Sequence, residues 1–417
     1  MNDQEIVIVS GVRTAFIKAW TLFNDLPAQK LGSLCVTELL QRTELKPDQA
    51  DELIFGCVGQ PAEAANVARV ISLMAGTPKS KRAYTVSRNC ASGLEAVTSA
   101  AEKILAGQVE VVIAGGVESM SNAPLVFSKE ASNLFLKLGR AKTLINKLGV
   151  LAKFRPKHFA PQPSIQLALT DPVCGLNMGQ TAEVLAKKYA ISRERQDAFA
   201  LESHRRVIAA RPHLAEEIMT VFVPPRYEEA VSLDNGVREN LTLEQLAKLK
   251  PAFDRASGTV TAGNSSQITD GACALLVMKR SKAESLGYSI LGRITAYDTV
   301  GVEPSEMGIG PAFVIEKILK KTGLKLKEIE LFEINEAFAS QVLACQEQLR
   351  QSIGEEIDPS LLNVNGGAIA LGHPVGVSGS RVILTLLKEM KRRGLHRGLA
   401  TLCIGGGQGS AIVLERD

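Results

Sequence analysis

Four residues could act together if the fold brought them to one place. Cys90 lies in Ser87-Arg88-Asn89-Cys90-Ala91-Ser92-Gly93-Leu94-Glu95. Ala83–Val86 before it has strand character. After it, Leu94, Val97, Ala101, Ile104 and Leu105 recur at helical spacing, with Gly107 as a stop. A thiol at that turn faces unpaired N–H groups and the positive end of the helix dipole, which favour a thiolate. His373 lies in Asn365–Pro374, a glycine-rich turn before a second helix. A neutral imidazole adjacent to Cys90 would take the thiol proton. Cys403 precedes Ile404-Gly405-Gly406-Gly407-Gln408-Gly409. Such glycines let backbone N–H groups approach a developing oxyanion. The run is no dinucleotide fingerprint, because a strand follows it where a helix is required. Asn335 follows the strand Leu331–Ile334 and opens a helix. It reads as an N-cap, or as an amide holding a water or an oxyanion. Each residue alone also has a plainer reading: a small buried hydrophobe, a capping histidine, a strand corner, a cap. His158, His204, His213 and His396 read as surface residues.

The surrounding elements alternate. Residues 1–120 read as strand Ile6–Val9, helix Leu31–Leu40, strand Glu52–Val58, helix Val67–Met74, the Cys90 turn and helix, and strand Val109–Ala114. That pattern predicts an α/β layout with a mainly parallel sheet. Residues 121–250 read as an insert, in which Met178 begins a helix. Thr259–Ser266 reads as a strand entering a polar turn, and Ala274–Met278 as an apolar strand. The last third echoes the first. Cys90–Gly116 runs turn, Ser-Gly, helix, Gly, strand, Gly-Gly, and His373–Gly406 runs the same way. This weak repeat predicts two copies of one unit, with Cys90 and His373 at equivalent helix starts.

The bulk composition narrows the function class. The 417 residues are 45% hydrophobic and 22% charged, an ordinary globular balance, and the net charge of +4 is too small to imply nucleic acid. No apolar run is long enough to span a bilayer, and the sequence shows no signal or transit peptide. Seven widely spaced cysteines without a CxxC pair point to a reducing compartment, and against structural zinc or a disulfide framework. Between Lys129 and Lys157 eight bases face one acid, Glu130, with Phe135, Leu136, Leu138, Leu144, Ile145, Leu148 and Leu151 interleaved. This predicts basic amphipathic helices over a solvated face, a phosphate-bearing ligand, a membrane or a partner.

Taken together, Asn89–Gly93, Gly115–Met120, Thr259–Ser266, Asn335–Ala339, Gly372-His373-Pro374 and Cys403–Gly409 resemble the thiolase family. They occur in order over nearly the whole chain. The resemblance implies a five-layer α/β/α/β/α core of two similar halves, residues 1–120 with 251–285 and residues 286–417, and a loop domain at 121–250. It also implies that Cys90 carries an acyl group as a thioester, that His373 activates it, and that Cys403 is acid or base at the α-carbon. One oxyanion hole would be His373 with a water on Asn335; the other, the N–H groups of Cys90 and Gly405. Coenzyme A and acyl-CoA would be substrates, with no cofactor or metal. Ala262 and Ser266 would meet the pantetheine, Arg238 the adenine end, and Met178 and Met307 the acyl chain. Asn177 stands where many members have His. The basic insert resembles the loop of the trifunctional-enzyme beta-subunit branch, which usually has His at the position of Asn335. A cytoplasmic homodimer or homotetramer acting in β-oxidation is the implied setting. Alternatives are a biosynthetic acetoacetyl-CoA-forming thiolase, a ketoacyl synthase and an inactive CoA or lipid carrier. The last would be expected to lack Cys90, His373 or Cys403.

Overall fold

A computed structural model describes residues 5–417; Met1–Gln4, part of the stretch where no signal or transit peptide is expected, lies outside the described residues. The main strands are β1 (Ile6–Thr14), β2 (Glu52–Gly56), β3 (Arg82–Val86), β4 (Val111–Glu118), β5 (Thr269–Lys279), β6 (Gly292–Gly301), β7 (Leu331–Ile334), β8 (Arg397–Ile404) and β9 (Gln408–Glu415). They are hydrogen-bonded in the order β7-β8-β9-β6-β1-β5-β4-β2-β3. The run β6-β9-β8-β7 repeats β1-β5-β4-β2 strand for strand, each with two antiparallel pairings and then a parallel one. Within the sheet the two halves pair at Val7–Arg293 and Ile8–Gly292.

The sheet is mixed rather than mainly parallel. Of eight neighbouring pairs, three are parallel and five antiparallel. In each half a returning strand, β5 or β9, lies between the first strand and the parallel run. Its apolar run, Ala272–Met278 in β5 and Ala411–Leu414 in β9, signals burial but carries no information about direction.

The principal helices of this unit are α1 (Ala28–Thr43), α2 (Val67–Met74), α3 (Ser92–Leu105), α4 (Met178–Lys188), α5 (Arg193–Leu214), α6 (Gly310–Thr322), α7 (Ala339–Ile353) and α8 (Ser378–Arg393). α1 and α2 pack on the first half-sheet, and α6 on the second with α7 against it. α3 and α8 pack against each other, and α8 touches β7 and β8 as well as β4 and β5. Every residue from Ser378 to Leu387 is buried, as expected for a helix enclosed between two sheets. The result is five layers, α/β/α/β/α. Glycines permit the central contact: a Cβ on Gly379 would collide with the Leu94 N–H, and one on Gly116 with the Gly376 carbonyl.

Other sequence expectations change here. Thr259–Ser266 forms no strand. Its N–H groups bond to side chains instead: Thr259 and Val260 donate to the Glu183 carboxylate at 2.8–3.0 Å, and Thr261 donates to Asn264 Oδ1 at 2.8 Å. The helix after Asn335 begins only at Ala339, so Asn335 is not its cap. His204 and His158 are buried rather than on the surface, because each ring accepts a backbone N–H, from Arg238 at 3.1 Å and from Arg155 at 3.0 Å.

The stretch 121–250 divides. Ala123–Thr170 is a compact unit of its own, while Asp171 onward belongs with the strands above. The small unit contains helices Lys129–Arg140 and Leu144–Leu151 around Phe127, Phe135, Phe154 and Phe159, whose rings approach pairwise with centroids 5.0–6.2 Å apart. No residue of Leu144–Leu151 is buried, and Ile145 is 82% exposed. Among the described residues no helix is long and apolar enough to cross a membrane.

Candidate active site

The Cys90 turn leaves β3, passes Asn89 in the left-handed region (φ 44°) and enters α3. Ser92 Oγ accepts the Arg88 N–H at 2.8 Å and donates to the Asn89 carbonyl at 2.7 Å; the Arg88 guanidinium pairs with Glu95 at 2.7 Å. The loop is therefore rigid before any ligand arrives. Asn89 Nδ2 donates to the Gly405 carbonyl at 2.7 Å, tying this turn to the β8–β9 corner in the other half. Burial pushes the half-buried Cys90 thiol up, and the N–H groups of Gly405 and of Cys90 itself pull it back. Gly406 and Gly407, with φ of 92° and 81°, make the corner possible.

Cys403 ends β8, fully buried. Burial holds its thiol well above the ordinary range, and Cys90 adds to the effect. Around Cys403 lie Met307, Val260, Ala182, Ala337 and Phe338, with Met178 packed against them. Asn335 follows β7 beside β8, its N–H on the Thr401 carbonyl at 3.0 Å. Its side chain is fully buried, yet neither Oδ1 nor Nδ2 has a protein partner.

The His373 ring sits just before α8. The His373 backbone N–H donates to the Gln267 carbonyl at 3.0 Å, and ring Nδ1 lies 2.6 Å from Ser378 Oγ. Nε2 is buried without a partner. Burial first, then the charge of Arg381, bring its pKa down to about 4, so the ring is neutral near pH 7. Glu336 secures the same turn from Asn335's side: its carboxylate accepts the Ile369 N–H at 3.2 Å, Ser203 Oγ–H at 2.6 Å and Asn363 Nδ2–H at 2.9 Å. The Cys90 turn is thus bonded to the Gly405 corner that follows Cys403, with Asn335 beside β8. His373 precedes α8, whose start packs on the start of α3.

Residues 6–281 match the family described as thiolase, N-terminal domain, and residues 288–416 match thiolase, C-terminal domain. The chain belongs to the thiolase family. This thiolase is 45% identical to the 3-ketoacyl-CoA thiolase of Pseudoalteromonas translucida, over 99% of the chain and 97% of the relative. A crystal structure of a Bacillus anthracis acetyl-CoA acetyltransferase superposes with TM-score 0.89 at 37% identity, covering 99% of this chain and 98% of that one. Human mitochondrial 3-ketoacyl-CoA thiolase in complex with CoA superposes with TM-score 0.86 at 36% identity, covering 100% and 99%.

The expected coenzyme contacts are distributed around one loop region of the thiolase. Ala262 is exposed, and Ser266 and Arg238 are half-buried. Gln267, next to Ser266, donates from Nε2 to the Gly236 carbonyl at 2.9 Å, linking it to the loop that carries Arg238. Ser378 and Gln267 had no signal in the sequence beyond lying near a helix start or a polar turn. Glu118 appeared there only within a family motif.

Proposed function

We propose that this thiolase cleaves 3-oxoacyl-CoA with free CoA to acetyl-CoA and a shortened acyl-CoA. Acyl-CoA C-acyltransfer is its activity; Cys90 carries the acyl group. The tie between the Cys90 turn and the Gly405 corner supports this reading most, with the buried Cys403 thiol and the unpartnered His373 Nε2 and Asn335 amide on the same half as that corner. With the Ser378 hydroxyl donating to the Pro374 carbonyl at 3.3 Å, Nδ1–H of His373 donates to Ser378 Oγ and Nε2 keeps its lone pair. Nε2 takes the Cys90 proton, and the thiolate attacks the keto carbon. The oxyanion develops against the N–H groups of Cys90 and Gly405.

The bond between C2 and C3 then breaks, its electron pair passing into the enolate of acetyl-CoA. Cys403, whose raised pKa keeps it protonated, gives C2 its proton. The His373 ring and a water on the unpartnered Asn335 amide stabilise the enolate oxygen. The Cys403 thiolate next deprotonates the incoming CoA thiol, whose sulfur attacks the thioester. Cys90 leaves and recovers its proton from His373, so every proton is returned.

In this reading Met178 and Met307 line the acyl pocket, Ala262 and Ser266 meet the pantetheine, and Arg238 lies near the adenine. β-Oxidation in the cytoplasm as a homodimer or homotetramer is the setting we favour; the seven free cysteines support a reducing compartment. The exposed Leu144, Ile145 and Leu148 among the bases of 129–157 support contact with a membrane or a multienzyme partner. Flotation with anionic liposomes, with both Leu144 and Ile145 changed to Ser, reads the membrane contact; equal flotation by both proteins would remove it. The test of the function itself is a rate profile over 3-oxoacyl-CoA chain lengths in both directions, with Cys90→Ala as control. Retained turnover in C90A would overturn the mechanism. A profile confined to acetoacetyl-CoA and faster in condensation would favour the biosynthetic role.

A further inference from the structure

Glu118 closes β4 with its side chain buried. Its carboxylate accepts three backbone N–H groups: Gly59 on Oε1 at 2.7 Å, and Val58 at 3.1 Å and Gly376 at 2.8 Å on Oε2. The Cys57 thiol lies 3.8 Å from Oε1. Val58 and Gly59 belong to the first half, in the loop after β2. Gly376 belongs to the second half, three residues after His373 and two before Ser378, the hydroxyl on the imidazole. None of these partners offers an oxygen acceptor for a carboxyl proton; burial raises the carboxyl pKa, and the three N–H donors draw it back toward the ionised form. There is little slack: a Cβ on Gly376 would lie 2.8 Å from Oε2 and 3.0 Å from the Cys57 Cα.

We propose that Glu118 is a positioning residue, a buried carboxylate whose three N–H bonds hold the His373–Ser378 turn at a fixed distance from the half of the molecule that carries Cys90. It touches neither substrate nor the reacting atoms, and the inference rests on the thiolase mechanism proposed above. The seat of the imidazole in one half is set by an acceptor that grows from the other. Within a proton transfer, sub-ångström changes of that seat alter the rate of acylation more than the affinity for CoA.

The experiment uses the full chain. Glu118→Gln keeps the shape but turns one acceptor oxygen into an NH2 facing backbone donors. The expected result is a fall in kcat of at least tenfold, with KM for CoA and for acetoacetyl-CoA within threefold of wild type, and an equally slowed burst of Cys90 acylation from acetyl-CoA. Glu118→Asp keeps the charge but withdraws it by one methylene. It serves where E118Q does not fold, and it is expected to show the same split between kcat and KM. A folded E118Q with wild-type kcat and acylation burst would overturn the proposal, as would an E118D with both unchanged if E118Q does not fold. Failure of the underlying mechanism is distinct: it would show as turnover retained in Cys90→Ala, whatever Glu118 does.

Discussion

Gly93 is where the central helices start against each other, and Gly93→Ala tests whether that contact sets the chemistry. An added Cβ would stand 2.8 Å from Ser380 N and 3.0 Å from both Ser380 Oγ and the Gly376 carbonyl, where ordinary contact begins at 3.4 Å. The start of α8 must therefore retreat by 3.4 − 2.8 = 0.6 Å, because backbone is on the far side. Ser378 and the imidazole it holds move with that helix start. A displacement of about 1 Å in a reacting group costs on the order of 10²-fold, so this one scales to roughly 15-fold in kcat. The overpacking itself costs about 1–3 kcal/mol of stability. The assay is thiolysis of acetoacetyl-CoA at saturating CoA, run with a thermal melt. Gly139→Ala is the control: a Cβ there meets nothing within 4 Å. If G93A melts lower but turns over at the wild-type rate, the contact stabilises the core without positioning the imidazole, and the reasoning fails.

Two further outcomes follow from buried polar groups. Asn335→Ala removes an amide that bonds to nothing in the protein, so the melting temperature should hold or rise while kcat falls on the order of 10²–10³-fold; an unchanged kcat in steady-state assays would contradict the water-holding role. His204 has its pKa brought down to about 4, first by burial and then by Arg238. The unfolded chain, with an ordinary imidazole near 6.5, binds more protons between those values, so this ring contributes stability above pH 6.5 that is lost as pH falls toward 4. Between pH 7 and pH 5 the loss is about 2 kcal/mol. Urea unfolding at the two values should show that gap shrink in His204→Gln, whose amide oxygen can still accept the Arg238 N–H; an equal gap in both proteins would refute the assignment.

The sequence made some of this legible and hid the rest for identifiable reasons. The Cys90 turn could be read because strand character, a helical apolar spacing and a stop glycine all lie within a short stretch. The two-half architecture could be read from the matching turn–helix–strand runs after Cys90 and His373. Strand direction could not, since the apolar runs Ala272–Met278 in β5 and Ala411–Leu414 in β9 read the same whichever way they run. Thr259–Ser266 looked like a strand because it is rich in Thr and Val, but Glu183, distant in sequence, satisfies its backbone. His204 and His158 stand among charged neighbours in the chain, and only tertiary packing shows that each accepts an N–H. Glu118 showed only as part of a family motif, because its donors come from segments about 60 and 258 residues away.

The unit Ala123–Thr170 begins and ends at adjacent points. Leu125–Val126 pairs antiparallel with Gln162–Pro163, and the Ser164 N–H donates to the Pro124 carbonyl at 3.0 Å. A segment closed at its own neck in this way is topologically a cassette. A short reverse turn could replace everything between the paired strands without rethreading the rest of the chain. Equally, a different segment could be grafted at the same neck.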